Sequence, residues 1–481
     1  MENNSALFTD FYSLTMAQGY WKNNRSERAA FEMFFRHQPF NGGYSIFAGL
    51  GTLLEYLANF SFTDDEIEYL NNLNFFRKEF LDFLKTFRFN GTLWAMDEGT
   101  VVFPHEPLIR VEGNLIECQI IEGLLLNIIN FQTLIATKAC RLWLASKKGS
   151  VMEFGLRRAQ GTDGALSASR AAFIGGVCGT SNVLAGKTFG IPVMGTMAHS
   201  WIMSFESEEE AFDAYASLYP DKTIFLIDTY DTLKSGLHNA IKAGRKLTAL
   251  GKNFGVRLDS GDIQYLSAEV RRQLDEAGLE KAFITVSNDL DEYIIETLVK
   301  ENSPVDNWGV GTRLVTGGNS ASLTGVYKLA AIYDKSGIIP VMKLSDNPDK
   351  TTNPGIKQVL RIKDKNGFSV ADVLCIDDEN DIPKEGVRYS FWHPSADYRH
   401  FPHLIEGTVL PLLKKRIENG ILTEKQPSLP EIKANVVCDL DSFDSTYKRL
   451  LNPHIYKVSI TEKLRNLKLE LIQKHLGSKE N

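Results

Sequence analysis

A chain of 481 residues is longer than one ordinary hydrophobic core supports, so two or three domains are expected. Hydrophobic residues make up 43% and charged residues 23% of the chain, which is typical of a globular protein. The formal net charge of −7 argues against non-specific nucleic-acid binding, because phosphate backbones attract positive surfaces. An anionic small substrate would need a local cluster of arginine, lysine and backbone N–H groups.

The five cysteines and the absence of targeting segments predict a cytoplasmic protein. The cysteines are odd in number and include no C-x-x-C pair, so reduced thiols without structural zinc are expected. The N-terminus has neither the basic nor the apolar region of a signal peptide. Residues 115–146 are apolar but carry charges near both ends, which predicts a buried helix and no membrane span.

The first hundred residues mix helices and strands. Residues 7–21 and 45–60 are predicted to be helices, and residues 29–36 a strand. A further helix is predicted over residues 64–86, because Thr63 and Glu66 form a capping signature at its start.

From about residue 150, short apolar runs alternate regularly with helical patterns. Strands are predicted at residues 151–154, 192–194, 223–227, 254–258, 282–286 and 307–310. Helices are predicted at residues 208–218, 233–250, 263–277 and 290–301. This alternation predicts a parallel sheet or barrel. Because six strands fall short of the usual eight, we predict an irregular α/β barrel, with an open doubly wound sheet as the second choice.

After about residue 325 the pattern changes to further strands and a terminal helix. We predict that residues 115–330 form the barrel domain. Residues 1–114 and 331–481 are predicted to pack together as one α/β domain built from both ends of the chain.

Polar groups follow every predicted strand of the barrel, where ligands bind in such folds. Solvent-facing turns do not need so many arginines and hydroxyls together. The groups that follow the strands include Arg170, Thr196, His199, Asp228, Arg257, Asp259, Asp262, Gly309, Gly311 and Thr312.

Several of these groups suit phosphate or carboxylate binding. Gly309 and Gly311 would let backbone N–H groups approach a phosphate, and Thr312 adds a hydroxyl donor. Arg170 and Arg257 suit bidentate binding of an anion. The glycine pair is equally consistent with a tight turn.

The remaining groups suit a metal ion and a covalent step. Asp228, Asp259 and Asp262 suit Mg²⁺, which takes one or two carboxylates plus substrate phosphate oxygens. The Asp-Ser-Gly-Asp run is also a good turn and helix cap. His199 could act as a general base or accept a covalent group. Together these residues predict a phosphate-rich substrate, Mg²⁺ and a second anionic reactant.

The segment at residues 181–188, SNVLAGKT, nearly matches a P-loop. Ser181 stands where the first glycine of that motif is required, and the interior is apolar and helix-prone. A P-loop is therefore not expected, and a P-loop ATPase stays only as a weakened alternative.

A series of motifs in a fixed order resembles the nicotinate phosphoribosyltransferase family. The motifs are TDFYSLTMAQGYW (from Thr9), FEMFFRHQPFNGGY (from Phe31), EFGLRRAQGTDGALSASR (from Glu153), SNVLAG (from Ser181), GTMAHS (from Gly195), GVRLDSGD (from Gly255), SNDLDE (from Ser287) and GVGTRLVTG (from Gly309). The resemblance covers residues 9 to about 360.

The resemblance implies a reaction, a fold and roles for particular residues. The family joins nicotinate to 5-phosphoribosyl 1-diphosphate in NAD salvage, giving nicotinate mononucleotide and diphosphate, and couples this to ATP hydrolysis through a phosphohistidine. His199 matches the phosphohistidine, Thr312 a phosphoribosyl diphosphate contact, and Tyr12, Thr196 and Arg257 the nicotinate site. The implied fold is the type II phosphoribosyltransferase barrel with an α/β domain. The family also implies a homodimer in which Tyr12 serves the neighbouring subunit.

Other functions stay open at this point. A sister enzyme would take nicotinamide or quinolinate, and a non-catalytic barrel protein would bind a phosphometabolite without needing His199. Arg313 could strengthen diphosphate binding or pair with an aspartate.

Overall fold

A computed structural model describes residues 5–347, 350–377, 382–395 and 399–477. The chain divides into unit 1, Met1–Leu134 with Ser322–Asn481, and unit 2, Ile135–Ala321. These bounds differ from the predicted ones, because residues 115–134 and 322–330 belong to unit 1. The reason is packing: Leu115 and Ile116 lie in the core of unit 1, and residues 325–334 pair with its first strand.

The elements follow in chain order. The helices are α1 (Phe11–Lys22), α2 (Leu50–Ala58), α3 (Asp64–Asn72), α4 (Lys78–Lys85), α5 (Leu115–Ile120), α6 (Glu122–Ala145), α7 (Gly161–Ile174), α8 (Val183–Phe189), α9 (His199–Met203), α10 (Glu208–Leu218), α11 (Leu237–Ala249), α12 (Ile263–Glu276), α13 (Glu292–Lys300), α14 (Thr312–Val315), α15 (Leu429–Asp441) and α16 (Glu462–Gly477). The strands are β1 (Arg28–Phe35), β2 (Ser45–Ile46), β3 (Thr92–Ala95), β4 (Val101–Val102), β5 (Ile109–Asn114), β6 (Ser150–Glu153), β7 (Gly179–Thr180), β8 (Ile224–Leu226), β9 (Gly255–Leu258), β10 (Phe283–Asn288), β11 (Asn307–Val310), β12 (Gly325–Asp334), β13 (Gly337–Pro340), β14 (Lys357–Lys363), β15 (Ser369–Ile376), β16 (Arg388–Trp392), β17 (His400–Leu404), β18 (Val409–Pro411), β19 (Lys414–Glu418), β20 (Ile421–Leu422) and β21 (Val458–Ile460).

Unit 1 is built from both ends of the chain, as predicted. Its seven-stranded sheet has the order β13-β12-β1-β5-β3-β19-β20, so β1 pairs with one strand from each end of the chain. A six-stranded sheet, β17-β16-β21-β15-β14-β18, comes entirely from the C-terminal part. No helix within the described ranges is both long and apolar enough to cross a membrane.

In unit 1 the sequence predicts the start of a helix correctly but misses a break between two helices. The predicted capping box is present, since Glu66 N–H donates to Thr63 Oγ1 at 3.3 Å and Thr63 N–H donates to Glu66 at 2.9 Å. The single helix predicted over residues 64–86 is two helices, α3 and α4. Asn74, with φ at 52°, lies in the break between them.

A buried ionic cluster joins the two chain segments of unit 1. Arg361 on β14 pairs with Asp372 at 2.7 Å and with Asp439 at 3.0 Å, and the Tyr456 hydroxyl donates to Asp372 at 3.0 Å. Glu106, fully buried, lies beside Asp372. Burial, together with the charge of Asp372, raises the pKa of Glu106 well above its usual range.

Glu106→Gln is expected to flatten the pH dependence of unfolding. In the unfolded chain Glu106 ionises near its ordinary pKa, whereas in the folded protein it ionises only at higher pH. The contribution of Glu106 to the free energy of unfolding is therefore complete below the ordinary pKa and is lost as pH rises through the folded-state pKa. The loss is about 1.4 kcal/mol for each pH unit between the unfolded-state and folded-state pKa values. Urea unfolding from pH 4.5 to 8 measures this, with the exposed Glu301→Gln as control. Parallel profiles for the wild type and Glu106→Gln would contradict the expectation.

Unit 2 carries the predicted irregular α/β barrel. Its six parallel strands have the order β7-β6-β11-β10-β9-β8, and Val193 adds a single parallel bridge to Thr180 at the β7 edge. Starting from β6, the order β6, β7, Val193, β8, β9, β10, β11 is the chain order, and β11 returns to pair with β6. This is the cyclic order of a barrel. In the described chain no strand pairing closes the gap between Val193 and β8.

One strand predicted in unit 2 needs correction, and one observed strand was not predicted. Residues 192–194 form only the bridge at Val193, because Pro192 has no N–H to donate to a ladder. The edge strand β7 was not predicted, since two residues carry no periodic pattern. The helix-prone interior of the segment at residues 181–188 lies in α8, which is capped by the Asn182 side chain, accepting from Ala185 N–H at 3.2 Å.

Candidate active site

Arg257 lies at the carboxyl end of β9, between β8 and β10, and its guanidinium is held on three sides. It donates to Thr196 Oγ1 at 2.9 Å, to Ser287 Oγ at 2.7 Å and to Asp259 Oδ1 at 2.7 Å. Its side chain is only 15% exposed. The structure thus brings the predicted pair Thr196 and Arg257 together, and it adds Ser287, which was not among the predicted site residues.

Asp259 balances the charge of Arg257. Burial acts to raise its pKa, but the Arg257 cation, hydrogen bonds from Ser287 and Arg257, and the charge of His199 outweigh burial and lower the pKa below its usual range. The carboxylate therefore stays ionised near neutral pH. An anionic ligand on Arg257 must share this guanidinium with Asp259.

His199 is the first residue of α9, in the stretch of chain between Val193 and β8. Its Nδ1 lies 3.1 Å from Thr229 Oγ1, and its Nε2 lies 3.9 Å from Asp259 Oδ2. The side chain is 41% exposed. When Nδ1–H donates to Thr229, Nε2 carries the lone pair, which makes it the nucleophilic nitrogen of the ring.

Asp228, just after β8, connects two of the strand-end loops. Its Oδ2 accepts from Asp259 N–H at 2.9 Å and from Ser260 Oγ at 2.6 Å. Its Oδ1 is buried and has no hydrogen-bond partner in the described protein. A buried carboxylate oxygen without a partner is costly, and it is the ligand type that Mg²⁺ prefers.

The three predicted metal ligands do not form one cluster. No group of three or more His, Cys, Asp or Glu side chains within the described ranges could hold a metal ion. Asp262 instead caps α12, accepting from Tyr265 N–H at 2.9 Å, and Asp259 forms an ion pair with Arg257. Of the three carboxylates, Asp228 is the one with a buried oxygen that has no hydrogen-bond partner among the described residues.

Gly309 in β11 and Gly311 just after it both lie close to Phe154. A Cβ on Gly309 would lie 2.7 Å from the Phe154 ring, and one on Gly311 would lie 3.2 Å from the Phe154 carbonyl oxygen. Thr312 then opens the short helix α14. The Phe154 ring is 5.9 Å from the Arg257 guanidinium, so it contributes an aromatic surface to the site. Sequence reasoning missed Phe154, although its place directly after β6 was the available signal.

The other predicted residues lie in different settings. Arg170 is buried in α7, only 6% exposed, which disfavours direct contact with a phosphate ligand. Arg313 donates weakly to Asn319 at 3.4 Å and forms no ion pair with a described residue. Tyr12 lies on α1 of unit 1 and is 47% exposed.

Asn288 ends β10, directly after Ser287, with φ at 133°. Non-glycine residues adopt this conformation only at an energetic cost, and such strain clusters at functional sites. Its position beside the partner of Arg257 supports assigning the site to this end of the barrel.

Comparisons with known proteins agree along the chain. Residues 7–130, 150–380 and 356–468 match, respectively, the N-terminal domain, the family and the C-terminal domain descriptions of nicotinate phosphoribosyltransferase (NAPRTase). The chain is 40% identical over 474 residues to the nicotinate phosphoribosyltransferase of Bacillus subtilis (strain 168), covering 98% of this chain and 96% of that protein. The Homo sapiens protein of the same name is 35% identical, over 96% of this chain and 95% of its own length.

A solved structure gives the same result for the fold. The crystal structure of human nicotinic acid phosphoribosyltransferase superposes with a TM-score of 0.85 and 32% identity, covering 96% of this chain and 99% of that one. Taken with the strand-end site built around Arg257 and His199, these matches show that the chain belongs to the nicotinate phosphoribosyltransferase family of enzymes.

Proposed function

We propose that this protein joins nicotinate to 5-phosphoribosyl 1-diphosphate, releasing nicotinate mononucleotide and diphosphate, in the salvage of NAD. The observation that carries the proposal is the Arg257 guanidinium at the strand ends, held beside Thr196. A pyridine carboxylate calls for such a cation, whereas an amide does not. The Phe154 ring beside Arg257 offers a face for the pyridine.

The chemistry is a displacement at the anomeric carbon of the ribose. The pyridine nitrogen already has a free lone pair, so no residue is needed to deprotonate it. A bond forms from that nitrogen to the anomeric carbon while the bond to diphosphate breaks, and the leaving group keeps the electron pair. Arg257 and Thr196 orient the pyridine, and the N–H groups and hydroxyl at Gly311 and Thr312 are proposed to hold the phosphoribosyl group.

Mg²⁺ is proposed as the cofactor, with Asp228 as the residue that would hold it. The buried, unpartnered Oδ1 of Asp228 fits a hard cation. Bound there with substrate phosphate oxygens, Mg²⁺ would neutralise charge on the diphosphate.

Asp228→Asn is expected to shift the Mg²⁺ dependence of diphosphate release to about tenfold higher concentration, because the variant keeps the shape of the side chain but loses its charge. A Mg²⁺ titration of the initial rate measures this. Asp262→Asn is the matched control, since asparagine also caps a helix and its Mg²⁺ dependence is expected to stay unchanged. Equal shifts of the Mg²⁺ dependence in both variants would show that Asp228 does not hold the metal.

ATP is proposed as the co-substrate, with His199 as phosphoryl acceptor. The Nε2 lone pair attacks the γ-phosphorus, the bond to the bridging oxygen breaks, and ADP leaves with the electron pair. The contact of Nδ1 with Thr229 supports this assignment because it orients Nε2 for attack. The resulting phosphohistidine is proposed to order the site and to raise its affinity for 5-phosphoribosyl 1-diphosphate.

A homodimer is proposed on the surface of unit 1. Phe8, Phe11, Tyr12 and Met16 are between 38% and 50% exposed along α1 and its start. The exposed Phe75 lies 5.0 Å from Phe11, ring centroid to centroid. A second copy would cover this apolar surface, with Tyr12 stacking on the pyridine in the neighbouring site.

Complementation tests the shared site. Mixing Tyr12→Ala with His199→Ala subunits, after dissociation and reassociation, is expected to raise the ATP-coupled rate above that of either variant alone, because one site in each mixed dimer is intact. No recovery, from mixtures shown to contain mixed dimers, would contradict the role of Tyr12 across the interface.

Turnover with three pyridines tests the reaction itself. Mg²⁺-dependent diphosphate release is expected with nicotinate and not with nicotinamide or quinolinate, since quinolinate brings a second carboxylate that needs more cations. Release with none of them would favour a non-catalytic phosphometabolite-binding protein. The five cysteines, an odd number without a disulfide bond, suit the cytoplasm, where we place the protein.

A further inference from the structure

Two tyrosine side chains that follow strands β8 and β9 of unit 2 are exposed to solvent. Tyr230, after β8, is 66% exposed, and Tyr265, in the first turn of α12 after β9, is 62% exposed. Neither ring stacks on another aromatic ring of the described chain, and neither hydroxyl has a described hydrogen bond. Large aromatic rings left open beside a site are typical ligand contacts.

The loops that carry the two tyrosines are bonded to each other. Asp228, two residues before Tyr230, accepts from the backbone of Asp259 and from Ser260, which precede α12. Both rings therefore belong to one pair of adjacent loops at the carboxyl end of the sheet.

These loops also reach the proposed phosphoryl acceptor. Thr229, the residue before Tyr230, contacts His199 Nδ1 at 3.1 Å. Consecutive Cα atoms are about 3.8 Å apart, so Tyr230 begins within one residue of the group that orients His199. In a nucleotide the base lies well away from the γ-phosphate, so the base does not compete with the phosphates for His199.

We infer that Tyr230 and Tyr265 form a stacking platform for the purine base of the nucleotide that phosphorylates His199. The inference rests on the proposed coupling to ATP. A planar, uncharged base suits two open aromatic faces. The tyrosines position the nucleotide and take no part in the chemistry.

The test compares the KM for ATP with the inhibition constant of tripolyphosphate, which carries the phosphates without a base. Tyr230→Ala and Tyr265→Ala are each expected to raise the KM for ATP about tenfold, because stacking contributes roughly 1–3 kcal/mol per base. The inhibition constant of tripolyphosphate and the KM for nicotinate are expected to stay the same. Tyr230→Phe keeps the ring and is expected to restore the KM for ATP. Tyr69→Ala, at an exposed tyrosine on α3 of unit 1, is the matched control.

The outcomes separate this inference from the proposed function. If the wild type turns over nicotinate but neither binds nor hydrolyses ATP, both the coupling and the platform are overturned. If ATP is used but the alanine variants keep the wild-type KM for ATP, only the platform is overturned. An equal weakening of tripolyphosphate, or dissociation of the alanine variants in sedimentation, would show that the tyrosines support the loops or a subunit contact instead.

Discussion

His199→Ala is expected to carry no acid-labile phosphate after incubation with γ-labelled ATP, whereas the wild type does. The side chain is open to solvent and its Nε2 is the only ring nitrogen not facing Thr229, so removing it removes the acceptor. Coupled ATP hydrolysis is expected to fall by at least about a thousandfold, as for loss of a nucleophile. Slow, uncoupled transfer to nicotinate is expected to remain, because Arg257 and the ribose contacts are intact.

The control for this experiment is the adjacent hydroxyl. Ser200→Ala is expected to keep the label, and lability in acid distinguishes a phosphohistidine from a phosphoserine. Label that persists in His199→Ala, or ATP hydrolysis still coupled to product formation in that variant, would contradict the assignment of His199 as the phosphoryl acceptor.

Arg257→Met is expected to raise the KM for nicotinate about a hundredfold. Charge-assisted hydrogen bonds to a carboxylate contribute about 1.5–3 kcal/mol, and the site offers no second cation with the same contacts to Thr196 and Ser287. Any weak turnover of nicotinamide is expected to change far less, because an amide does not need the charge. Initial rates against each pyridine measure the difference.

The substitution also leaves Asp259 without its cation, so a second variant keeps the result interpretable. Arg257→Met combined with Asp259→Asn removes both charges, and thermal unfolding checks that it remains folded. Arg245→Met, on the exposed face of α11, controls for a general loss of positive charge. A KM for nicotinate that stays within about twofold of wild type in both Arg257 variants would show that Arg257 does not bind the carboxylate.

The sequence predicts this fold well where periodicity is long and local. Helix α10 has the predicted bounds, and five of the six predicted barrel strands are present within one or two residues at each end. The hydrophobic periodicity of the sequence does not show which distant strands pair with each other. The place of β12 beside β1, and hence the domain boundary, depends on which chain ends meet.

The site shows the same limit at the level of side chains. Thr196 and Arg257 could be expected to meet, because both follow strands of one parallel sheet. Arg257 and Asp259 are two residues apart around the end of β9, and this spacing, which favours a shared face, was a usable signal for their ion pair. The contact of Phe154 with Gly309 could not be predicted, because it requires knowing that β6 and β11 are neighbours.

The seven-stranded sheet of unit 1 has a consequence for how the chain is synthesised. Strand β1 needs β12 on one edge, and β12 leaves the ribosome about 300 residues later, roughly 15–60 s at ordinary rates of translation. During that interval β1 has an open edge with an apolar face, while unit 2 is being made between the two strands. A nascent chain halted before Gly325 should therefore be prone to aggregation and should depend on chaperones, even though the whole of the barrel has already been translated.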